Sequence, residues 1–242
     1  MVASQSTICR RLRANGLNSY RPLKFPRLSD NHKAARLNWC RQHRSWSVHQ
    51  WKNVVFTDES RFCLLWTDGR VRVRRLRGTR LSNQDAVQWT DRQGTGGSIM
   101  VWAGISFRHK SAMIQVEQTM DGKKYRDDIL EPVAIPFGLE SVGPGFIFQD
   151  DNATPHRCGL VNTFHDQNME YVHMEWPSKS PDLNPIEQMW DQRGRAISRC
   201  SIQRLRDLAP TVISEWDSIP QTNVQRLIRS MRSRCEHVIA AR

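Results

Sequence analysis

No run of 18 apolar residues occurs in this 242-residue chain, which sets a membrane-spanning helix aside. The opening MVASQSTICRRLRANG has no apolar core of the kind a secretory leader needs, so secretion is not expected. The six cysteines stand far apart, at 9, 40, 63, 158, 200 and 235, and none forms a CxxC pair. That spacing argues against a zinc site and a disulfide framework, and fits a reducing, intracellular compartment. Internal repeats and low-complexity tracts are missing too. Negative charge is scarce: 24 Asp and Glu face 36 Lys and Arg, a net charge of +12 with a pI of about 10. Such an excess points to a polyanionic partner. With 38% hydrophobic content the chain can bury one large core, or one core with a small appendage.

What is present divides into a basic, helical first section and a longer section that mixes strands and helices. Ser6 or Thr7 can cap a short helix with Ile8 and Leu12 on one face and Arg10, Arg11 and Arg13 beside them, closed by Gly16. SYRPLKFPRLS, residues 19–29, carries two prolines and three basic residues and reads as an extended linker. Ser29 then caps a second helix through Leu37 and Cys40 to about Arg44.

From residue 53 the pattern turns to strands. The apolar run Val54-Val55-Phe56 ends in Thr57-Asp58-Glu59, and two further strands, 61–66 and 70–76, flank Thr67-Asp68-Gly69, a hairpin signal. Residues 97–106 and 112–117 supply two more. Residues 125–137 have helical spacing, interrupted by Pro132 and Pro136. GFIFQDDN, 145–152, is a short strand running into acids, followed by a helix over 157–169, a strand over 171–175 and a helix beginning at Pro185. A C-terminal helix over 224–239 has Leu227, Ile228 and Met231 at core spacing, with Arg226, Arg229, Arg232 and Arg234 around them. The expected order is three or four antiparallel strands, then helix, strand, helix, strand, helix, an α/β chain.

This order sets acids at strand ends. Asp58 closes the first strand, Asp150 or Asp151 closes a later one, and Glu187 opens the helix after the last. If the first and later strands are neighbours, their carboxylates converge at one sheet edge. Hard oxygen ligands in such a cluster suit Mg²⁺ or Mn²⁺, and two such ions about 4 Å apart can hold a phosphodiester for phosphoryl transfer. Singly, each acid also has a plain structural reading. Asp58 can cap a turn through Ser60, and Asp150 and Asp151 can form an Asx turn. Asn184 can cap the helix that Pro185 begins, and Glu187 can reach back to the cap N–H.

These residues resemble the Tc1/mariner transposases. VVFTDESRF (54–62) is similar to the family's first catalytic block, GGSIMVWAGIS (96–106) to the strand that follows, and FQDDNATPH (148–156) to the second block. WPSKSPDLNPIEQMW (176–190), around the third acid, is the most specific of the four. The resemblance runs over essentially the whole chain. It implies an RNase H-like catalytic domain, a mixed sheet flanked by helices, over 51–242. It implies a catalytic and metal-binding triad of Asp58, Asp151 and Glu187 holding Mg²⁺ or Mn²⁺, two ions, that cuts DNA at transposon ends and joins the freed 3′-hydroxyl to target DNA. The family block favours Asp151 over Asp150, since Asp151-Asn152 matches its acid-Asn pair and His156 falls on its histidine. Pro155 sits one place later than usual, and the 35 residues between Asp151 and Glu187 are one more than the commonest spacing.

The N-terminus departs further from the family pattern of two helix-turn-helix modules. STICRRLRANGL (6–17) resembles only the last helix of the second. Residues 1–18 are thus expected to be a module remnant and 19–50 a basic linker and helix. Double-stranded DNA is the implied partner, with Arg10, Arg11 and Arg13 as contacts, and the resemblance admits a homodimer on it. In RVRVRRLRGTR (70–80) the alternation sets Arg70, Arg72 and Arg74 on one strand face, where they can track phosphates, although charge also protects an edge strand from aggregation. The alternative to a transposase is a catalytically inactive, DNA-binding remnant of one. The substrate and the arginine clusters lead to an expected nuclear location.

Overall fold

A computed structural model describes residues 4–20, 24–25, 28–65, 73–77, 87–88, 95–117, 119–200 and 202–241. Its helices are α1 (Gln5–Ala14), α2 (Asp30–His43), α3 (Val48–Trp51), α4 (Gly122–Lys124), α5 (Ile135–Ser141), α6 (Gly159–Gln167), α7 (Pro185–Ile197), α8 (Leu205–Asp217), α9 (Gln221–Arg229) and α10 (Met231–Ala240). Its strands are β1 (Asn18–Tyr20), β2 (Lys24–Phe25), β3 (Val54–Leu65), β4 (Val73–Arg75), β5 (Val87–Gln88), β6 (Thr95–Ile105), β7 (Ile114–Val116), β8 (Phe146–Gln149) and β9 (Tyr171–His173). They form two compact units, Met1–Arg27 with Trp66–Thr95, and Leu28–Leu65 with Gly96–Arg242.

In the smaller unit α1 is capped by Ser4, whose hydroxyl accepts from Thr7 N at 3.3 Å, instead of by Ser6 or Thr7. Gly16 closes the helix at φ +74°, a conformation an L side chain resists. Arg10, Arg11 and Arg13 are exposed, and α1 has no buried residue. β1 pairs antiparallel with β4 and β2 parallel with β5. The expected hairpin turn at Thr67-Asp68-Gly69 lies outside the described residues, as do Arg70 and Arg72. Arg74 aims its guanidinium inward, donating to Leu17 O at 3.2 Å and to Cys9 Sγ at 2.9 Å.

The larger unit is built on a five-stranded sheet in the order β7-β6-β3-β8-β9. β3, β8 and β9 run parallel, while β6 and β7 are antiparallel, so the sheet is mixed. β3 is one strand of 12 residues where two were expected. Phe62 and Cys63 are as buried as Val54–Phe56, so the chain stays extended through its acids to keep both apolar stretches in the core. Tyr125, Ile129, Leu130 and Phe146 join Val55, Trp102 and Phe148 in one buried cluster. The predicted helix over 125–137 is present but wound as a π-helix over Tyr125–Ala134, which takes in Pro132, before α5 begins with Pro136 in its first turn. The wider winding spares Pro132 the clash with the i−4 carbonyl that an α-helix would impose.

Ser29 caps α2, as the sequence predicts, and His32 completes a capping box with it. The single C-terminal helix becomes two, α9 and α10, meeting at Ser230, whose hydroxyl turns back to Leu227 O at 2.6 Å. Leu227, Ile228 and Met231 are buried as their spacing requires. α8 is absent from the sequence expectations because it carries Pro210 inside and has no side-chain cap.

Candidate functional site

β3 and β8 are hydrogen-bonded parallel neighbours, with Val54 opposite Ile147 and Phe56 opposite Gln149. Pairing stops there, so Asp58 on β3 and Asp150 and Asp151 after β8 emerge at the same edge of the sheet. The first strand and the later one are thus neighbours, as convergence of their carboxylates requires. Thr57 locks this edge by donating to Gln149 O at 2.8 Å.

α7 brings the third acid to that edge. Asn184 is its N-cap, with Pro185 in the first turn and the Asn184 side chain accepting from Ile186 N at 3.3 Å. The backbone N–H of Asn184 donates to Pro181 O at 3.1 Å, closing the turn that leads into the helix. The same Asn184 amide donates through Nδ2 to Thr57 O at 3.0 Å, tying the helix start to the residue before Asp58. Asp182 shapes the preceding turn by receiving the fork of buried Arg36 at 2.7 and 2.6 Å.

Glu187 and Asp151 are thereby placed within electrostatic reach of Asp58. Burial, followed by the charges of Glu187, Glu59 and Asp151, pushes the Asp58 carboxyl well above the usual carboxylate range. Its neighbours are carboxylates, so the cluster has a deficit of positive charge. A hard divalent cation answers that deficit, and the donor set of carboxylate oxygens fits one.

Asp150 has a different environment. It is 1% exposed and its oxygens are taken by Arg157 Nη2 at 2.6 Å, His173 Nε2 at 3.0 Å and the Tyr125 hydroxyl at 3.2 Å. Burial disfavours its charge, but His165, His173 and Arg157 together hold the carboxyl far below its ordinary range. Asp150, His165 and His173 also have the makeup of a metal site, with ligand atoms within 4.8 Å of one another. Arg157 already supplies the cation there, so the group reads as a buried ionic network that anchors the loop after β8.

Asp151, by contrast, keeps a side chain that is 48% exposed. Its Oδ1 accepts from Ala153 N at 2.8 Å, the Asx turn foreseen as the plain reading, and lies 2.8 Å from His156 Nδ1. His156 is buried and stacks on Tyr125 with centroids 3.9 Å apart, and its Nε2 lies 3.4 Å from Glu59 Oε1. Burial opposes its charge, but Glu59, Asp151 and Asp150 win, and its pKa is pushed up to about 11. His156 is thus an imidazolium clamped between two carboxylates, and it orients Asp151.

Three contributors were not legible in the sequence: Glu59, Arg157 and Trp190. Trp190 Nε1 donates to Asp58 Oδ2 at 3.0 Å. The signal for Trp190 was its spacing, since 184, 187 and 190 recur one helical step apart on α7.

A family model described as a transposase, of helix-turn-helix type, matches residues 1–45, and one described as a DDE superfamily endonuclease matches residues 53–209. The Tcb1 transposable-element transposase of Caenorhabditis briggsae is 38% identical over 242 residues, covering 100% of this chain and 87% of that protein. The Tc1 transposase of Caenorhabditis elegans is 34% identical, covering 99% of this chain and 86% of that protein. Among solved structures, the catalytic domain of Mos1 mariner transposase aligns with a TM-score of 0.65 at 15% identity, over 92% of this chain and 97% of that one. The Mos1 mariner paired end complex with Mn aligns with a TM-score of 0.68 at 17% identity, over 99% of this chain and 71% of that one. These likenesses establish the RNase H-like fold expected for the mixed sheet. With a DDE model across most of the chain and relatives of this identity along its full length, the protein belongs to the Tc1/mariner family of transposases.

Proposed function

We propose that this Tc1/mariner protein is a metal-dependent, cut-and-paste DNA transposase, cleaving strands at transposon ends and joining the freed 3′-hydroxyl to target DNA. Asp58, Asp151 and Glu187 are the proposed ligands of Mg²⁺ or Mn²⁺, two ions. The observation that carries this reading is the Asp58 carboxyl, held at the sheet edge against Glu187, Glu59 and Asp151. The metals would supply Lewis-acid activation of the attacking hydroxyl and stabilisation of the leaving oxygen. His156 holds Asp151 by one oxygen from the side of Glu59. Arg157 keeps Asp150 ionised and out of the ligand set. Asn152 joins this loop to the segment before α7 by donating to Trp176 O and Ser178 Oγ, which ties the two flanks of the site together.

The solved Mos1 complex named with Mn supports divalent-cation dependence, and its paired-end description supports a homodimer on double-stranded DNA as the assembly. Residues 1–18 and the exposed Arg10, Arg11 and Arg13 are the proposed end-binding remnant, 19–50 the basic linker and helix, and 51–242 the catalytic part. The nucleus is the proposed location, on the strength of the proposed DNA substrate and the arginine clusters.

Incubation with transposon-end DNA and Mg²⁺ or Mn²⁺ tests the reading. Nicking by the wild type, lost in Asp58→Ala, Asp151→Ala and Glu187→Ala, is expected. DNA binding without any nicking would establish the inactive-remnant alternative instead.

A further inference from the structure

The bond from Trp190 to Asp58 belongs to a larger arrangement. α7 grips β3 at two consecutive residues: Asn184 Nδ2 holds Thr57 O at 3.0 Å, and Trp190 Nε1 holds Asp58 Oδ2 at 3.0 Å. Glu187 lies between the two grips, three residues from each. Trp190 is itself closely packed. It is 2% exposed, stacks on Trp216 with centroids 5.0 Å apart and stands edge-on to Phe62 at 6.2 Å. Trp216 is fixed in turn by its indole, which donates to Ser111 O at 2.9 Å.

Packing alone does not explain this bond. Trp51 and Trp102 are equally buried, yet among the described residues their indole N–H groups meet no hydrogen-bond acceptor. Trp39 and Trp216 donate to backbone carbonyls. Trp190 instead meets a carboxylate, and that carboxylate stands among others of the same charge. A neutral donor on one oxygen favours the ionised form and fixes the plane of the group.

We propose that Trp190 is a positioning residue for cation binding: its indole N–H sets the rotation of the Asp58 carboxylate relative to Glu187, and Asn184 keeps the strand from sliding beneath it. The proposal rests on the reading of Asp58 as a metal ligand. Donors of this kind, one bond removed from the ion, are worth about 10- to 100-fold in metal affinity.

The test is Mn²⁺ titration calorimetry on the full chain without DNA, alongside the Mn²⁺ dependence of nicking. Trp190→Phe keeps the stack and removes the N–H, and Trp190→benzothienylalanine keeps the whole shape and removes only the N–H. Trp39→Phe is the control, removing a buried indole donor that bonds the Glu175 carbonyl and takes no part in holding Trp190. Both changes at 190 are expected to raise the Mn²⁺ Kd by about 10-fold or more. The half-saturating Mn²⁺ for nicking should rise with it, more than the rate at saturating Mn²⁺ falls, while Trp39→Phe leaves the Kd unchanged. Wild-type Mn²⁺ affinity in the benzothienylalanine variant would overturn the proposal, as would an equal loss in Trp39→Phe. Wild-type affinity in Asp58→Asn would overturn the ligand reading beneath it, a result separable from the first because it does not involve position 190.

Discussion

At the scale of single residues, two neighbouring aspartates face opposite electrostatic problems. Asp58 is crowded by carboxylates, so its folded pKa is raised above the unfolded value. A raised pKa contributes stability that is fully present below the unfolded value and is lost as pH rises through the folded one. In chelator, Asp58→Asn is therefore expected to melt above the wild type by about 2–4 °C near neutral pH, for a relief on the order of 1 kcal/mol. That gap should close as pH falls toward about 4, and a thermal melt series checks it. Asp150 has the opposite sign. Its folded pKa is depressed, so its contribution is present above the unfolded value and is lost as pH falls below about 4. Arg157→Met removes the cation from a buried carboxylate and should cost roughly 3 kcal/mol at neutral pH, measured by urea denaturation. The cost should shrink in acid, and equal destabilisation at pH 7 and pH 3 would contradict the ionic account.

At the scale of elements, the site depends on how closely helices approach the sheet. Gly138 on α5 lies against the ring of Phe146 on β8, and a Cβ there would fall inside that ring's van der Waals envelope. Gly138→Ala is expected to cost about 1–3 kcal/mol, because the ring is buried and flanked by Tyr171 and cannot retreat. Since β8 leads directly into Asp150 and Asp151, the same change should lower nicking as well. Circular dichroism melts combined with nicking rates check both parts. The end of α7 that faces the site was legible from its cap, Asn184-Pro185, whose chemistry is local. β3 was misread as two strands because Thr57-Asp58-Glu59 looks like a turn, and only the core contacts of Phe62 and Cys63 keep it extended.

At the scale of the whole molecule, the net charge of +12 governs association with DNA. Each lysine or arginine that meets a phosphate releases counterions, so affinity should fall steeply with salt. Replacing Arg10, Arg11 and Arg13 together by alanine is expected to reduce the slope of log affinity against log salt by about 3. Electrophoretic mobility shifts at several salt concentrations check it, and an unchanged slope would show these exposed arginines to be idle. Arg74 should contribute little to that slope, because its guanidinium is committed to Leu17 O and Cys9 Sγ. Arg234 is similarly occupied, on Asp182 O and Gln188 Oε1, so a basic residue in the sequence is not by itself a DNA contact.

The sequence by itself determined what rests on local chemistry and on a contiguous string: the charge excess, the caps at Ser29 and Asn184, the apolar strands that end in acids, and the family pattern around Asp58, Asp151 and Glu187. The family pattern favoured Asp151, but residue chemistry alone did not separate it from Asp150, because the two are adjacent and chemically identical in the chain. Their environments differ only once Arg157, His173 and Tyr125 close around Asp150 and leave Asp151 half exposed. Nor could the sequence name the partner of Trp190, which lies 132 positions away. Such choices belong to the tertiary structure, since burial and charge at a point in space are set by residues that the chain brings there from elsewhere.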